Sequence, residues 1–282
     1  MGMSPSEVGR RQPLSAVALT HSYFSRRSSR SAVPTSVFEH LSLDVGPGEI
    51  VSVVGPSGCG KSTLLSILAG ILVPAQGRVR LGDRDITGQP GHLGYVMQVD
   101  QLLPWRTALD NVALGQEIRG DSRRDTLLRA RALMQRFGLG GFEHHYPHAL
   151  SGGMRQRVGF LRTVLCDWQV LLLDEPFRGV DALTKSHLHE WLLTLCGEFG
   201  LSVLLVTHDP DEAVFLSDRV LVLSDRPAAI IGEVTVGLSR PRSYEVIASP
   251  EFAVLKHHVL ALLWQSERAA SEAEVEAIRM QR

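Results

Sequence analysis

The chain has little cysteine, little lysine and no long apolar run. Its three cysteines form no Cys-x-x-Cys pair, which argues against a disulfide framework and indicates reduced thiols in a cytosolic compartment. No stretch of about eighteen apolar residues occurs, so no segment is expected to span a membrane. Only three of the 29 basic residues are lysine, and 30 acidic residues bring the net charge to −1. This balance favours neither nucleic acid nor an anionic lipid surface as a partner of the whole molecule.

What is present is the pattern of a globular α/β protein. The 282 residues are 44% hydrophobic and 21% charged, enough for a full core. Residues 1–13 are expected to be flexible, and residues 25–36 to form a polar loop. Residues 105–168 have helical periodicity, and a helical tail, too short for a sizeable regulatory domain, is expected after about 240. Strands are predicted at 15–23, 49–54, 78–81, 93–96, 170–173, 202–206 and 219–223.

A glycine-rich stretch, GPSGCGKST, follows the apolar run 50–54 and precedes a helical pattern. It matches the phosphate-binding motif G-x-x-x-x-G-K-[ST], whose backbone N–H groups and helix dipole converge on a phosphate. An ordinary glycine-rich turn is the alternative, which the flanking strand and helix disfavour. Lys61 is predicted to reach the terminal phosphates and Ser62 a magnesium ion. The predicted binding residues of the loop are Gly55, Pro56, Ser57, Gly58, Cys59, Gly60, Lys61, Ser62 and Thr63.

Two acids end the apolar run VLLLDE at 170–175. A buried parallel strand delivers such carboxylates at its carboxyl end. We expect Asp174 to hold magnesium, and Glu175, pointing to the other side of the pleat, to act on an attacking water.

The stretch ALSGGMRQRV at 149–158 predicts a second anion site. Ser151 opens a helical run as its N-cap, and Gly152 and Gly153 follow inside the first turn. Capping explains the serine but not the glycines, each of which costs a helix about 1 kcal/mol relative to alanine.

Together these motifs resemble those of the ATP-binding cassette ATPases. GPSGCGKST is similar to their Walker A motif, LSGGMRQRV to their signature, LLLDEP to their Walker B motif and VTHDPDEA (206–213) to their switch region. The resemblance spans residues 14–236. It implies an α/β fold, a P-loop NTPase (RecA-like) core with an antiparallel β subdomain and a helical insertion at about 100–168. The ATPase domain is then expected at 14–240 and the tail at 241–282.

The resemblance also implies roles for single residues. Two chains would pair head to tail, so that Ser151, Gly152 and Gly153 of one close the ATP site of the other. Tyr23 would stack on adenine, although a core aromatic is the alternative. The remaining implied site residues are Gln98 for magnesium and water, His208 near the γ-phosphate and Asp181 in the loop that couples the two sites. Before Asp181, Arg178-Gly179-Val180 departs from the small residues and leucine usual in the family, which puts the role of Asp181 in doubt.

ATP and Mg²⁺ are therefore the expected substrate and ion of an ATPase. The chain has one cassette and no sustained heptads, which disfavours DNA-repair and translation relatives. A separate ATPase subunit remains. The resemblance implies that it serves a bacterial importer, peripheral on the cytoplasmic side of the inner membrane, with a permease and indirectly a solute-binding protein as partners. Leu102, Leu103 and Trp105 are predicted to anchor the permease. Packing within the helical region is the alternative, and the two are compatible. An ATPase acting on a cytosolic protein partner is the alternative.

Two further resemblances concern the solute. LLPW, DEPF and RPAAIIGEV (226–234) resemble the nitrate/sulfonate/taurine branch of importers. FLRT and EWLL resemble members that import a pyrimidine precursor of thiamine.

Overall fold

The computed structural model of the chain describes residues 12–23, 34–98 and 101–280, with side chains described as far as residue 268. In chain order its strands are β1 (Leu14–Tyr23), β2 (Thr35–Val45), β3 (Ile50–Val54), β4 (Gln76–Leu81), β5 (Arg84–Asp85), β6 (Gly94–Val96), β7 (Val170–Asp174), β8 (Ser202–Val206), β9 (Arg219–Leu223) and β10 (Ile230–Thr235). Its helices are α1 (Lys61–Leu68), α2 (Ala108–Arg119), α3 (Arg123–Arg136), α4 (Gly152–Val164), α5 (Ala182–Phe199), α6 (Pro210–Leu216) and α7 (Pro250–Met280), with 3₁₀ turns at Pro147–Ala149 and Tyr244–Ala248.

The larger sheet has the strand order β10-β9-β3-β8-β7-β6. It is parallel except for β10, which runs antiparallel to β9. Every residue of β3 and β8 is buried, as expected of parallel strands covered on both faces. All seven predicted strands are present, each within two residues of its expected ends.

The smaller sheet is antiparallel, in the order β2-β1-β4-β5. Its strand β2 was not predicted, although Leu41, Leu43 and Val45 alternate with polar residues and are buried. The polar loop predicted at 25–36 is wrong at its end, because Thr35 already pairs with Tyr23 in the sheet. Residues 24–33 of that loop, and 1–11 of the expected flexible N-terminus, lie outside the described residues.

The region 105–168 is helical, as predicted. Helix α2 begins after Thr107, whose hydroxyl accepts a hydrogen bond from the Asp110 N–H, and ends at Gly120 in the left-handed conformation. Helices α2, α3 and α4 pack on one another and join their apolar faces to the core under the larger sheet.

The helical tail contains α7, which packs on β9 and β10. Phe252 and Val259 are fully buried there, and Gly232 lies so close that an added Cβ would stand 2.6 Å from Leu262. Before α7, the guanidinium of Arg242 donates hydrogen bonds to the Phe215 and Ser217 carbonyl oxygens at the end of α6, both 2.8 Å. The tail therefore extends the core of the α/β domain; a domain boundary at 241 remains a prediction.

The sheet order determines where the functional segments meet. The carboxyl ends of β9, β3, β8 and β7 lie side by side, so the glycine loop after β3 is flanked by the segments that follow the other three. Within the described residues, no helix has both the length and the apolar content needed to cross a membrane.

Candidate active site

The glycine loop connects β3 to α1, which begins at Lys61. The Lys61 ammonium donates hydrogen bonds to the carbonyl oxygens of Gly55 and Pro56, each at 2.8 Å, and the residue is only 7% exposed. Gly60 has a φ of 121°, and a Cβ there would lie 2.4 Å from a methyl group of Val37 in β2. The loop therefore needs glycine at this position, and the smaller sheet packs directly against it.

The loop opens into a cavity of about 440 Å³. Its lining brings together nine of the predicted site residues, namely Ser57, Gly58, Gly60, Lys61, Ser62, Thr63, Gln98, Glu175 and His208. Arg178 and Arg226 line it as well. The charge of this wall suits a polyanion such as a nucleotide triphosphate.

Cys59 differs from the rest of the loop. Its side chain is fully buried, and burial raises the pKa of its thiol although the Lys61 charge opposes the shift. A buried, protonated thiol fills space beneath the loop, so only the backbone of Cys59 is available to a ligand.

Asp174 ends β7 beside the glycine loop. Its Oδ1 accepts a hydrogen bond from the Ser62 hydroxyl at 3.2 Å, and its Oδ2 accepts one from the Tyr95 hydroxyl at 3.3 Å. Burial raises the pKa of Asp174 above its ordinary value, although these two hydrogen bonds oppose the shift. Burial and the neighbouring carboxylate raise the pKa of Tyr95 to about 12, so Tyr95 remains a donor.

Glu175 leaves the strand in a left-handed conformation. Its φ is 44°, so the pleat alternation expected to turn its side chain away from Asp174 does not extend to it. Oε2 of Glu175 lies 3.3 Å from Nδ1 of His208 and 3.1 Å from Nη1 of Arg178. Such strain in a bulky residue is typical of a functional position.

Tyr23 ends β1 near the start of α1. It is 46% exposed, its ring meets His21 edge to face, and its hydroxyl lies 3.3 Å from the hydroxyl of Thr63. The ring is therefore not a core aromatic, and its exposure is compatible with stacking on a ligand.

The signature segment begins α4. Ser151 caps the helix by accepting a hydrogen bond from the Met154 N–H at 3.3 Å. A Cβ on Gly153 would lie 2.9 Å from the Thr184 methyl group, so packing against α5 explains this glycine. A Cβ on Gly152 would meet nothing closer than 3.9 Å, so packing does not explain that one. Ser151 and Gly152 are exposed, and neither lines the cavity of the same chain.

Asp181 lies outside the cavity lining. It is the N-cap of α5 and accepts a hydrogen bond from the Thr184 N–H at 3.0 Å. Hydrogen bonds from Thr184 lower the pKa of this exposed carboxyl. Capping thus gives Asp181 a structural role, and contact with a second chain remains a prediction.

Sequence reasoning missed two cations of the cavity. Arg178 was noted only as a departure from the family pattern, although a cation three residues after Glu175 was a usable signal. Arg226 follows β9, and its approach to the cavity depends on β9 lying next to β3, which no local motif encodes.

Comparisons with known proteins agree with this geometry. A family model described as ABC transporter matches residues 38–178. The taurine import ATP-binding protein TauB of Pseudomonas aeruginosa is 42% identical over 252 residues, which cover 88% of this chain and 94% of that protein. TauB of Yersinia pseudotuberculosis is 39% identical over 232 residues, which cover 80% of this chain and 91% of that protein.

Solved structures give the same result. The dimeric structure of MJ0796, described as a bacterial ABC transporter cassette, matches with a TM-score of 0.68 and 28% identity over 80% of this chain and all of that one. A dimeric post-hydrolysis state of the same cassette, bound to ADP and Pi, matches with a TM-score of 0.67 and 27% identity over the same shares of the two chains. The fold expected from the motifs is confirmed, and the chain belongs to the ABC transporter family as one of its ATP-binding, ATP-hydrolysing cassettes.

Proposed function

We propose that this chain is the ATP-hydrolysing subunit of a bacterial importer for a small solute. It works as a head-to-tail pair of chains on a membrane permease, at the cytoplasmic side of the inner membrane. One observation carries the proposal: Lys61, Glu175 and His208 line one open cavity. The 39% to 43% identity to taurine import ATP-binding proteins supports the transport role.

Hydrolysis needs a base, an anion site and a way to place water. Lys61 and the loop N–H groups bind the phosphates. Glu175 takes a proton from the attacking water as the new bond to the γ-phosphorus forms and the bond to the β-phosphate oxygen breaks. His208, 3.3 Å from the base, and Gln98, in the same cavity wall, orient the water and the γ-phosphate.

The residues around Asp174 fit a magnesium ion. The Ser62 and Asp174 side chains present oxygen atoms 3.2 Å apart, and hard oxygen ligands are what Mg²⁺ prefers. Gln98 lines the same cavity and would supply a further oxygen. When bound, the ion neutralises charge on the β- and γ-phosphates.

A second copy of the chain completes the site. Ser151 and Gly152 are exposed at the start of α4, where N–H groups and the helix dipole favour an anion, yet their own cavity does not include them. A head-to-tail pair brings them to the partner's ATP, with Tyr23 stacked on the adenine.

The solute is of the nitrate, sulfonate or taurine class. The taurine import relatives support this class over the pyrimidine alternative. The cassette itself does not touch the solute, so the permease and a solute-binding protein select it.

Fewer of the predicted anchor residues are exposed for a contact with the permease than the sequence suggested. Leu102 is only 9% exposed and packs in the core, so it is not an anchor. Leu103 is half-buried, whereas Trp105 is 71% exposed. An exposed indole is a typical interface anchor, and we assign the contact to Trp105.

The test measures ATP hydrolysis by the purified chain with and without membranes that carry a candidate importer permease. We expect the membranes to stimulate the wild type, and Trp105→Ala to retain basal activity and lose the stimulation. Ile118→Ala is the matched control, because Ile118 is a 78% exposed apolar residue at the other end of α2. Two results together would contradict the proposal. The wild type would hydrolyse ATP at the same rate with and without permease membranes, and a cytosolic protein would co-purify with it in the absence of detergent.

A further inference from the structure

A half-buried lysine outside the cavity lining joins α5 to the segment after His208. Nζ of Lys185 lies 2.6 Å from Oδ2 of Asp209 and 3.0 Å from Oε2 of Glu212. The Lys185 side chain is 19% exposed and that of Glu212 only 4%. The attraction between Lys185 and Glu212 is therefore screened less by solvent than that of a surface ion pair, whereas Asp209, with a side chain 32% exposed, is more open to solvent.

The two ends of this bridge belong to segments with assigned roles. Lys185 lies in the first turn of α5, and its backbone N–H donates to the carbonyl oxygen of Asp181 at 2.9 Å. Asp209 directly follows His208 and caps α6, accepting hydrogen bonds from the N–H groups of Asp211 and Glu212. A displacement of the α5 N-terminus is therefore transmitted through Lys185 to Asp209, the residue next to His208.

Electrostatics keep Lys185 and Asp209 charged, whereas burial raises the pKa of Glu212 to about 7 although the Lys185 charge opposes the shift. Burial disfavours the ammonium of Lys185, but Glu212 and Asp209 outweigh that effect and raise its pKa. The nearby His189 does not compete as a cation, because burial and the Lys185 charge lower its pKa to about 4. The ammonium is thus the cation that holds both carboxylates within the described part of this cluster.

We propose that Lys185 is a positioning residue that couples Asp181 to His208. The inference rests on the proposed roles of these two residues. A second chain that contacts Asp181 shifts the start of α5, Lys185 carries the shift to Asp209, and His208 moves relative to Glu175. The geometry of each ATP site thereby depends on whether the second chain contacts Asp181. Lys185 itself does not contact the nucleotide.

The test compares Lys185→Met with Lys256→Met in ATP hydrolysis by the purified full chain. Lys256 is the matched control, since its Nζ lies 2.7 Å from Oδ2 of Asp211 on the same α6 but comes from α7. For Lys185→Met we expect kcat per folded protein to fall by at least about tenfold, the scale of a misplaced catalytic group. We expect the KM for ATP to stay within about twofold, because the phosphate loop is untouched. We expect a cooperative dependence of rate on ATP in the wild-type dimer and its loss in Lys185→Met, whereas Lys256→Met should behave as wild type in all three measures.

Lys185→Met leaves Glu212 buried without its cation and can impair folding. The double variant Lys185→Met/Glu212→Gln removes that charge, and Lys185→Arg restores a cation; we expect a low kcat in the first and partial rescue in the second. Wild-type kcat in the folded double variant, or equal losses in Lys185→Met and Lys256→Met, would overturn the inference. Wild-type activity in His208→Ala would instead refute the proposed role of His208.

Discussion

Nη1 of Arg178 lies 3.1 Å from Oε2 of Glu175, the same oxygen that lies 3.3 Å from Nδ1 of His208. One carboxylate oxygen of Glu175, the proposed base, thus contacts two basic side chains. The Arg178 side chain is 57% exposed, so the solvent weakens this pair without removing it.

Replacing Arg178 should increase the rate. A carboxylate that accepts from a guanidinium is a poorer acceptor for a water proton, so Arg178→Ala should raise basal kcat. An exposed pair is worth about 0.2 to 1 kcal/mol, which limits the increase to about fivefold. Steady-state ATP hydrolysis measures it, and Arg178→Lys, which retains the cation, should stay near wild type. A lower kcat in Arg178→Ala would show instead that the arginine assists the reaction.

The two signature glycines should respond differently to alanine. Gly153→Ala should destabilise the fold by about 1 to 3 kcal/mol, since the new methyl group lies 2.9 Å from the stiff Thr184 side chain. Gly152→Ala has space and removes a helix-disfavouring residue, so its stability should be unchanged or higher by at most about 1 kcal/mol. Its ATP hydrolysis should nevertheless fall, because the methyl group blocks approach to the partner's nucleotide. Urea unfolding and hydrolysis rates separate the two effects; full activity in Gly152→Ala would argue against that contact.

His189 should make the fold sensitive to acid. Its ring lies between Phe177 and Phe215 with neither nitrogen hydrogen-bonded, and burial lowers its pKa from 6.5 to about 4. Between these pH values the unfolded chain binds a proton that the folded chain excludes, so stability rises with pH across this window. The full change is about 3 kcal/mol, from 1.36 kcal/mol per pKa unit.

The check is the free energy of unfolding of wild type and His189→Phe from pH 4 to 7. The wild type should lose stability relative to the variant as the pH falls below about 6.5. Glu212 titrates in both proteins, so its own contribution largely cancels in the difference. The exposed His187, changed to Phe in the same way, controls for loss of a histidine from α5. Parallel curves for wild type and His189→Phe would contradict a buried neutral His189.

Local patterns predicted much of the core. The apolar runs at 170–173 and 202–206 were recognisable because parallel strands covered on both faces lack polar alternation. Strand β2 was missed because its alternation begins directly after a polar stretch, and its pairing with β1 is set by register between segments distant in sequence.

The site was predictable where a residue lies in a motif. Each of the three residues Lys61, Glu175 and His208 lies in a motif that follows a strand recognisable in the sequence. The strand order of the sheet brings the three residues together. Arg226 and the bridge from Lys185 to Asp209 depend on packing between elements far apart in the chain. No spacing rule encodes such contacts, and the anchor role predicted for Leu102 failed for the same reason, since burial depends on the neighbouring helices.

The most direct measurement is ATP hydrolysis by wild type and Glu175→Gln, each with and without permease membranes. The account predicts hydrolysis by the wild type that the membranes stimulate, and a loss of about 10² to 10⁴-fold in the variant under both conditions. ATP should still bind to Glu175→Gln and hold it as a dimer, because Lys61 and the signature segment are intact. Hydrolysis by Glu175→Gln at the wild-type rate would contradict the account.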